Sequence, residues 1–283
     1  MLVVLLVAGA AVAHATWNIA FKRAGSSGVG FLWLTFVVAT VAFAPFGITS
    51  LVVEGVDLLR WLPLAAISGV LQVGYFLLLQ YAYRVGDVSV VYPLARGSGP
   101  LLSVVFAIIL LGERPGILAL IGAAVLVTGV VVIGFAGGRS GAQVNRAGVI
   151  FGLLVGVLIA GYTLWDASAV TVGGMPPLGF YWGSLAVQLV LLTVPAVRQW
   201  GSTRQAAQTQ PLAVVLMGIL SPLSYILILL AIQLAPVSVI APAREVSVVL
   251  VGIAGWVLFR EPNPVQRLIG AGIVLVGVAL LAL

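Results

Sequence analysis

Cysteine is absent from this 283-residue sequence, histidine occurs once, and charged residues are scarce. Without cysteine there can be no disulfide, no thiolate nucleophile and no cysteine-ligated metal site. The one histidine, His14, has no second soft ligand nearby, so we predict no metal site. Charged residues make up 7% of the chain and hydrophobic residues 62%, whereas soluble domains carry roughly 25% charged residues. The composition therefore predicts a membrane-embedded protein.

Motifs of enzymes and of nucleic-acid binding are also missing. The sequence contains no G-x-S-x-G elbow, no H-E-x-x-H helix and no P-loop. His14 and Asp166 come with no serine in a nucleophile context, so no Ser–His–Asp set is present. The net charge of +6 is spread along the chain rather than gathered in a basic patch with aromatics. We therefore predict no enzyme, no cofactor, no ATPase domain and no nucleic-acid partner.

Long apolar runs dominate what is present. A membrane-spanning helix needs about 20 mainly apolar residues, and the sequence predicts ten spans joined by short connections. Their ranges are 2–21, 29–49, 61–81, 88–111, 116–136, 147–170, 177–197, 211–233, 237–259 and 265–283. The first run has basic residues after it and none before it, which predicts a retained span rather than a signal peptide. The predicted fold class is an all-α integral membrane protein.

The sequence is written twice. At a shift of 148 positions, residues of unusual type fall on their own kind, and the segment 88–93 matches 237–242 at a shift of 149. The matched pairs are Trp17 and Trp165, Arg96 and Arg244, Glu113 and Glu261, Gly122 and Gly270, and Gly129 and Gly277. This predicts two five-span repeats, 1–139 and 140–283, divided in the "GGRSG" stretch. Because five is odd, the second repeat enters the membrane inverted, around a shared central cavity.

Loop charge predicts the orientation. Connections after spans 1, 3, 5, 7 and 9 hold nine Lys or Arg residues, and connections after spans 2, 4, 6 and 8 hold two. Positive loops stay in the cytoplasm. We therefore expect the first set inside and both termini outside.

Four charged residues lie well inside predicted spans: Arg96, Asp166, Arg244 and Glu245. Each costs roughly 2.5–3.5 kcal/mol at a helix centre on insertion scales. Such charges form structural ion pairs, for example Arg244 with Asp166 or Arg96 with Glu245, or they line a polar pathway. Both alternatives can hold, because gates are often built from such pairs.

Arg96 lies in the segment "YPLARGSGP", whose two prolines and two glycines predict a kinked or locally unwound span 4. Its counterpart in span 9, "APAREVS", holds Pro242, Arg244 and Glu245. Matched interruptions in the two halves of a membrane protein point to a transport site.

Aromatic and polar residues on spans 1, 3, 4, 6 and 8 complete the candidate substrate site. These residues are His14, Trp17, Asn18, Gln72, Tyr75, Tyr92, Tyr162, Trp165 and Tyr225, beside the four buried charges. Tryptophans near a span end also serve as interfacial anchors, so both interpretations of Trp17 and Trp165 stay open. His14 is also a candidate for hydrogen bonding or proton sensing.

Glycines at helical spacing predict close helix packing. Gly148, Gly152 and Gly156 form a ridge on span 6. Gly122 and Gly129, with their repeat counterparts, predict that spans 5 and 10 pack tightly.

The ten-span pattern with a "GE" or "RE" pair between the fourth and fifth spans resembles the drug/metabolite transporter superfamily, and in particular EamA-domain proteins. The segments that carry the resemblance are 110–134 and 258–281, with the tryptophans of spans 1 and 6. Arg260 stands where the first repeat has Gly112, a departure from a strict repeat. Relatives include YddG-type aromatic amino acid exporters. The resemblance implies a bacterial inner-membrane location, a helical basket around a central cavity, and Glu113 and Glu261 at turns, where they cap or pair with arginines.

We therefore expect a secondary transporter, functional as a monomer in the bilayer, that exports small amphipathic metabolites such as amino acids, aromatic ones included. Coupling to protons through Asp166, Glu245 or His14 and simple facilitated transport are both open. A flippase for lipid-linked or drug-like amphiphiles is the alternative. An intramembrane enzyme or a passive scaffold would need a reactive constellation or long interaction loops, which the sequence lacks.

Overall fold

A computed structural model describes residues 1–24, 28–136, 146–259 and 263–281. Every regular element in these ranges is a helix. The helices are α1 Leu2–Ala24, α2 Val29–Val53, α3 Leu58–Val85, α4 Val88–Leu110, α5 Ile117–Ala136, α6 Arg146–Val170, α7 Pro177–Arg198, α8 Trp200–Thr209, α9 Pro211–Ile232, α10 Val237–Ala243, α11 Val246–Phe259 and α12 Pro264–Leu281. The all-α membrane fold predicted from the sequence is confirmed.

The predicted spans correspond to helices of membrane length. Within the described ranges, nine helical segments are long and apolar enough to cross a bilayer, with α10 and α11 counted as one segment. The tenth span is α12, whose apolar part is Leu268–Leu281. The chain is a multi-pass membrane protein.

Helix contacts have the symmetry of an inverted repeat. α6 packs against α3 and α4, and its repeat counterpart α1 packs against their counterparts, α9 and α11. Two further pairs, α2 with α7 and α5 with α12, join equivalent helices across the pseudo-two-fold axis. The boundary that the sequence predicts after residue 139 lies outside the described residues.

Helices approach each other closely at the glycines that the sequence singled out. A β-carbon at Gly122 of α5 would lie 2.8 Å from the carbonyl oxygen of Gly277 in α12, and one at Gly152 of α6 would lie 3.1 Å from the β-carbon of Leu94 in α4. Both distances are tighter than an ordinary side-chain contact. The predicted tight packing of spans 5 and 10 is therefore confirmed.

One predicted connection is a helix. α8 occupies the polar stretch 198–210 and packs against α2 through Thr203 and Ala206, which are buried. The hydroxyl of Thr203 donates to the carbonyl of Ala196 at 2.9 Å, which ties α8 to the end of α7. The two buried positions are three residues apart, so one face of an otherwise polar helix is covered.

Of the two forms predicted for span 4 beside Arg96, a kink or local unwinding, the unwinding is wrong, and the kink stays a prediction. α4 is helical throughout, although it contains two prolines. Its glycines serve packing instead: a β-carbon at Gly97 would lie 2.8 Å from a valine methyl of α5, and one at Gly99 would lie 2.7 Å from an isoleucine methyl of α6. Neighbours on two sides hold this segment in the helical form.

The interruption falls in the second repeat, where Arg244 and Glu245 separate α10 from α11. Across this gap the backbone hydrogen bonds run from residue i to residue i−3, as in a 3₁₀-helix. The N–H of Glu245 donates to the carbonyl of Pro242 at 2.9 Å, and that of Val248 donates to the carbonyl of Glu245 at 2.8 Å. The gap is therefore one tight turn rather than an unwound loop.

Glu113 caps the start of α10. Its carboxylate oxygens accept the N–H groups of Val237 at 2.7 Å and Ser238 at 2.9 Å. These amides are among the four that a helix N-terminus leaves unpaired, and negative charge there is favourable. The capping role implied for Glu113 is confirmed, whereas Arg260 and Glu261 lie outside the described residues.

Candidate functional site

A cavity of about 350 Å³ lies between α1, α3, α4 and α6, with one residue each from α2 and α9 in its wall. α3 crosses the bundle from Arg60 to Arg84, so these residues mark its two ends, here called the Arg60 end and the Arg84 end. The exposed Arg84 stands at the mouth of the cavity. The predicted site residues that line it are Trp17, Asn18, Tyr75, Tyr92 and Arg96. The remaining predicted residues lie deeper or elsewhere.

Arg96 joins the cavity to a buried group of charges. Its guanidinium lies 2.9 Å from Nε2 of His14 and 3.4 Å from both carboxylate oxygens of Glu245. The Arg96 side chain is 15% exposed, whereas that of Glu245 is fully buried. The predicted pair of Arg96 with Glu245 is present, and Arg96 also reaches the cavity wall. Arg96 therefore belongs both to an ion pair and to the wall of a cavity.

Arg244 pairs with Glu245 rather than with Asp166. Nε of Arg244 lies 3.5 Å from Oε1 of Glu245, an ion-pair distance without hydrogen-bond geometry. His14, Arg96, Arg244 and Glu245 together form the ion-pair cluster. Because two guanidinium groups share one carboxylate, the ion-pair cluster carries an excess of positive charge beside the cavity.

Aromatic rings cover the cationic side of the cavity. The guanidinium carbon of Arg96 lies 5.9 Å from the centre of the Tyr92 ring. The Trp17 ring meets His14 edge-on at 5.0 Å, and its indole nitrogen is buried with no hydrogen-bond partner among the described residues. Asn18 donates to the carbonyl of His14 at 2.8 Å. The wall therefore offers flat apolar faces next to a cation.

Asp166 lies in a second polar group, toward the Arg60 end. Its Oδ2 accepts the hydroxyl of Tyr225 at 2.7 Å and the amide of Gln72 at 3.1 Å. Asp166 is fully buried, and its Oδ1 has no hydrogen-bond partner in the part of the chain that the structure describes. Gln72 in turn accepts from Tyr181 at 3.3 Å and from Gln188 at 3.4 Å.

Two serines extend this second group. The hydroxyl oxygens of Ser68 and Ser184 are hydrogen-bonded at 3.0 Å. The amide of Gln72 donates to Ser68 at 3.2 Å, and that of Gln188 donates to Ser184 at 3.3 Å. The Asp166 network is defined by Ser68, Gln72, Asp166, Tyr181, Ser184, Gln188 and Tyr225. It ties α3, α6, α7 and α9 together by hydrogen bonds and holds a single charged side chain.

A row of tyrosines connects the cavity with the Asp166 network. Tyr75, on the cavity wall, meets Tyr162 with ring centres 5.7 Å apart. Tyr162 meets Tyr225 at 5.9 Å, and Tyr225 meets Tyr181 at 4.7 Å. Two rings, Tyr162 and Tyr225, therefore lie between Tyr75 and Asp166.

Trp165 does not share the cavity of Trp17. Its indole nitrogen donates to the carbonyl of Leu64 at 3.0 Å. It lines a shallow depression of about 370 Å³ at the other end of the bundle, together with Arg60 and Ser168. Inverted repeats place equivalent residues on opposite sides of the membrane midplane, so the two tryptophans face different ends.

The sequence did not predict every residue of the cavity and of the Asp166 network. Tyr83 and Arg84 at the cavity mouth were not among the predicted site residues, nor were Tyr181, Ser184 and Gln188 of α7. A signal for α7 was present: two polar residues four apart, in the middle of an apolar helix, share a face.

Comparisons with known proteins identify the fold. The model of the EamA-like transporter family matches residues 1–135 and 146–283. Chains of solved structures match as well, 29 in all. One of them, described only as the crystal structure of a protein, superimposes with a TM-score of 0.75 at 19% sequence identity, over 98% of this chain and 95% of that chain. At this identity the similarity shows the fold alone. A search of the curated proteins finds no match.

Proposed function

We propose that this chain, which belongs to the EamA-like transporter family, is a secondary transporter that exports small amphipathic metabolites. Amino acids, aromatic ones included, are the proposed substrates. The proposed location is a bacterial inner membrane, with the monomer as the working unit and both termini outside. Residues 1–139 and 140–283 are the proposed repeats, which rock against each other around the cavity.

The observation that carries this proposal is the pairing of aromatic walls with a guanidinium group in one cavity. Trp17, Tyr75 and Tyr92 offer flat surfaces for an apolar body, and Arg96 suits a carboxylate. The excess positive charge of the ion-pair cluster adds to the attraction for an anionic group. This combination favours a substrate that carries a carboxylate next to an apolar or aromatic portion.

The direction rests on loop charge. The predicted orientation puts the Arg84 end in the cytoplasm, and the cavity mouth is at that end. The Asp166 network lies toward the opposite end. This arrangement corresponds to a state that loads substrate from the cytoplasm, as an exporter requires. Exchange of roles between the inverted repeats would then open the Arg60 end.

Purified protein in liposomes tests the proposal. Flux of labelled phenylalanine, leucine and glutamate should exceed that of empty liposomes, with phenylalanine the fastest. Arg96→Lys should reduce flux because a lysine lacks the planar fork that matches a carboxylate. Arg114→Gln, which removes an exposed loop charge, is the matched control and should keep wild-type flux. Absence of flux across this panel with folded protein contradicts the proposal, and scrambling of a labelled lipid instead would favour a flippase.

A further inference from the structure

Asp166 differs from the other buried carboxylate in its partners. No arginine, lysine or histidine side chain lies within 4.0 Å of it among the described residues, whereas Glu245 has two arginines at 3.4 and 3.5 Å. Its partners are all neutral: a phenol and an amide donate to the same oxygen, Oδ2, and the hydroxyl of Ser68 lies beside the carboxyl group. An isolated charge is costly inside a membrane protein. A proton on the free Oδ1 removes that cost.

The other two candidates for a proton site, His14 and Glu245, are already engaged by arginine side chains. Nε2 of His14 lies 2.9 Å from the guanidinium of Arg96, which can only donate, so this ring nitrogen accepts. A proton there would bring two cations together. A proton on Glu245 would leave Arg96 and Arg244 facing each other without an anion between them. Of the three, Asp166 alone can gain a proton without loss of an ion pair and without bringing two cations together.

The position of Asp166 suits exchange with both sides. It lies four residues before the end of α6 at the Arg60 end. Trp165, next to it in sequence, lines the depression on that surface. On the other side, Tyr225, Tyr162 and Tyr75 connect it with the cavity.

We propose that Asp166 is the proton-binding site that couples transport to a proton gradient. This inference rests on the proposed function. When the Arg60 end is open, a hydronium ion at that end gives a proton to Oδ1 and is left as water. When the Arg84 end is open and substrate displaces the tyrosine row, the O–H bond of Asp166 breaks and the proton passes to water in the cavity. One proton enters for each substrate exported, and the carboxylate is regenerated.

The groups that face Asp166 are few. α7 and α9 contribute the phenols Tyr181 and Tyr225, and α6 itself contributes Tyr162. α3 contributes only neutral side chains to the network. The charges of α4 and of the α10–α11 turn, Arg96 and Arg244, are both engaged by Glu245. No other member of the Asp166 network carries a charge.

The test uses the full chain in liposomes with tritiated phenylalanine. A pH gradient should drive the wild type to accumulate the probe uphill. Asp166→Asn, which keeps the shape and still accepts from Tyr225, should lose this accumulation while exchange of internal for external phenylalanine continues. Asp166→Glu should restore accumulation. Asp57→Asn, an exposed cap of α3 that asparagine also provides, is the control and should behave as wild type.

Infrared spectroscopy supplies a readout that needs no substrate. A protonated carboxyl band that titrates with pH should be present in the wild type and absent in Asp166→Asn. Gradient-driven accumulation in folded Asp166→Asn overturns the proposal, and so does a wild-type spectrum without a titrating carboxyl band. If the wild type moves no probe of the panel, the proposed function fails, and the titrating band by itself then supports or overturns a proton site at Asp166.

Discussion

The ion-pair cluster and the Asp166 network solve the same problem in opposite ways. In the ion-pair cluster, Glu245 is surrounded by two guanidinium groups at 3.4 and 3.5 Å. In the Asp166 network, the carboxylate receives only neutral donors, at 2.7 and 3.1 Å. The first arrangement holds its charges through Glu245, because a proton on this carboxylate would leave both arginines without an anion. The second holds one charge that a proton can remove.

The repeat explains where this difference arises. Both arginines occupy equivalent positions, 96 and 244, in the two halves. Both carboxylates occur only in the second half, where the first has Gly97 and Asn18. The two repeats thus share the cations and differ in the anions. The two halves therefore differ in buried charge at these two positions.

The largest effect should follow from Arg96→Gln. Glu245 would keep only the looser contact with Arg244, and loss of one partner of a buried pair costs about 3–5 kcal/mol. The free energy of unfolding in lipid should fall by that amount, and phenylalanine flux should be lost. Asp166→Asn should cost far less, because it leaves no counter-ion unpaired. Arg84→Gln, at the exposed mouth, is the stability control. Equal losses for Arg96→Gln and Asp166→Asn would remove the distinction between the two groups.

A smaller effect should follow from Tyr225→Phe, which removes the 2.7 Å hydrogen bond to Asp166. A hydrogen bond to a charged group contributes about 1.5–3 kcal/mol, and here it joins α9 to α6. We expect the Arg60 end to open more often. Because the chain lacks cysteine, Ser184→Cys introduces a single thiol in a fully buried position. An impermeant maleimide should label this thiol faster in the double variant Ser184→Cys/Tyr225→Phe than in Ser184→Cys alone.

Tyr92→Phe, on the wall of the cavity, is the matched control for this labelling and should leave its rate unchanged. An unchanged rate in Tyr225→Phe as well would mean that the Asp166 network does not close the Arg60 end.

Glu113→Gln should have a more modest effect on the ion-pair cluster. Glu113 holds the first amides of α10, the helix that leads into Arg244 and Glu245. Glutamine offers one acceptor oxygen and no charge, so we expect a loss of about 1 kcal/mol. Thermal unfolding of the purified protein measures it, with Glu54→Gln on the surface as the control. A loss no greater than that of the control would show that the cap does not stabilise the cluster.

The sequence predicts those features of the structure that depend on residues close together in the chain better than those that depend on contacts between distant helices. Spans follow from local hydropathy, and their inversion follows from an odd count. The pair of Arg96 with Glu245 followed from the scarcity of buried charge. The partner of Arg244 did not, because two carboxylates were available and only the turn between α10 and α11 decides between them.

Two longer-range features could not be predicted from the sequence, whereas a third could. The helical form of α4 depends on its contacts with α5 and α6, which override the local preference of its prolines and glycines. The Asp166 network depends on how α7 faces α3 and α9, which no local pattern determines. The separation of Trp17 from Trp165 could have been deduced, since inversion itself places equivalent residues at opposite depths.

The two tryptophans provide the finest comparison between the halves. Trp165 donates to the carbonyl of Leu64 at 3.0 Å, whereas the indole nitrogen of Trp17 has no partner in the described part of the chain. Trp165→Phe should therefore lower the free energy of unfolding by about 0.5–1.5 kcal/mol, the net worth of one hydrogen bond. Trp17→Phe loses no such bond, so its cost should be smaller.

In transport assays, Trp17→Phe should have the larger effect of the two tryptophan variants. Trp17 lines the cavity of Arg96, so Trp17→Phe should change the concentration of phenylalanine that gives half-maximal flux, whereas Trp165→Phe should not. Phenylalanine at each position keeps an aromatic ring and removes the indole N–H, so each variant is the control for the other. Equal effects of both on half-maximal flux would place both tryptophans on one substrate site, and the assignment of the two ends to different roles would then be wrong.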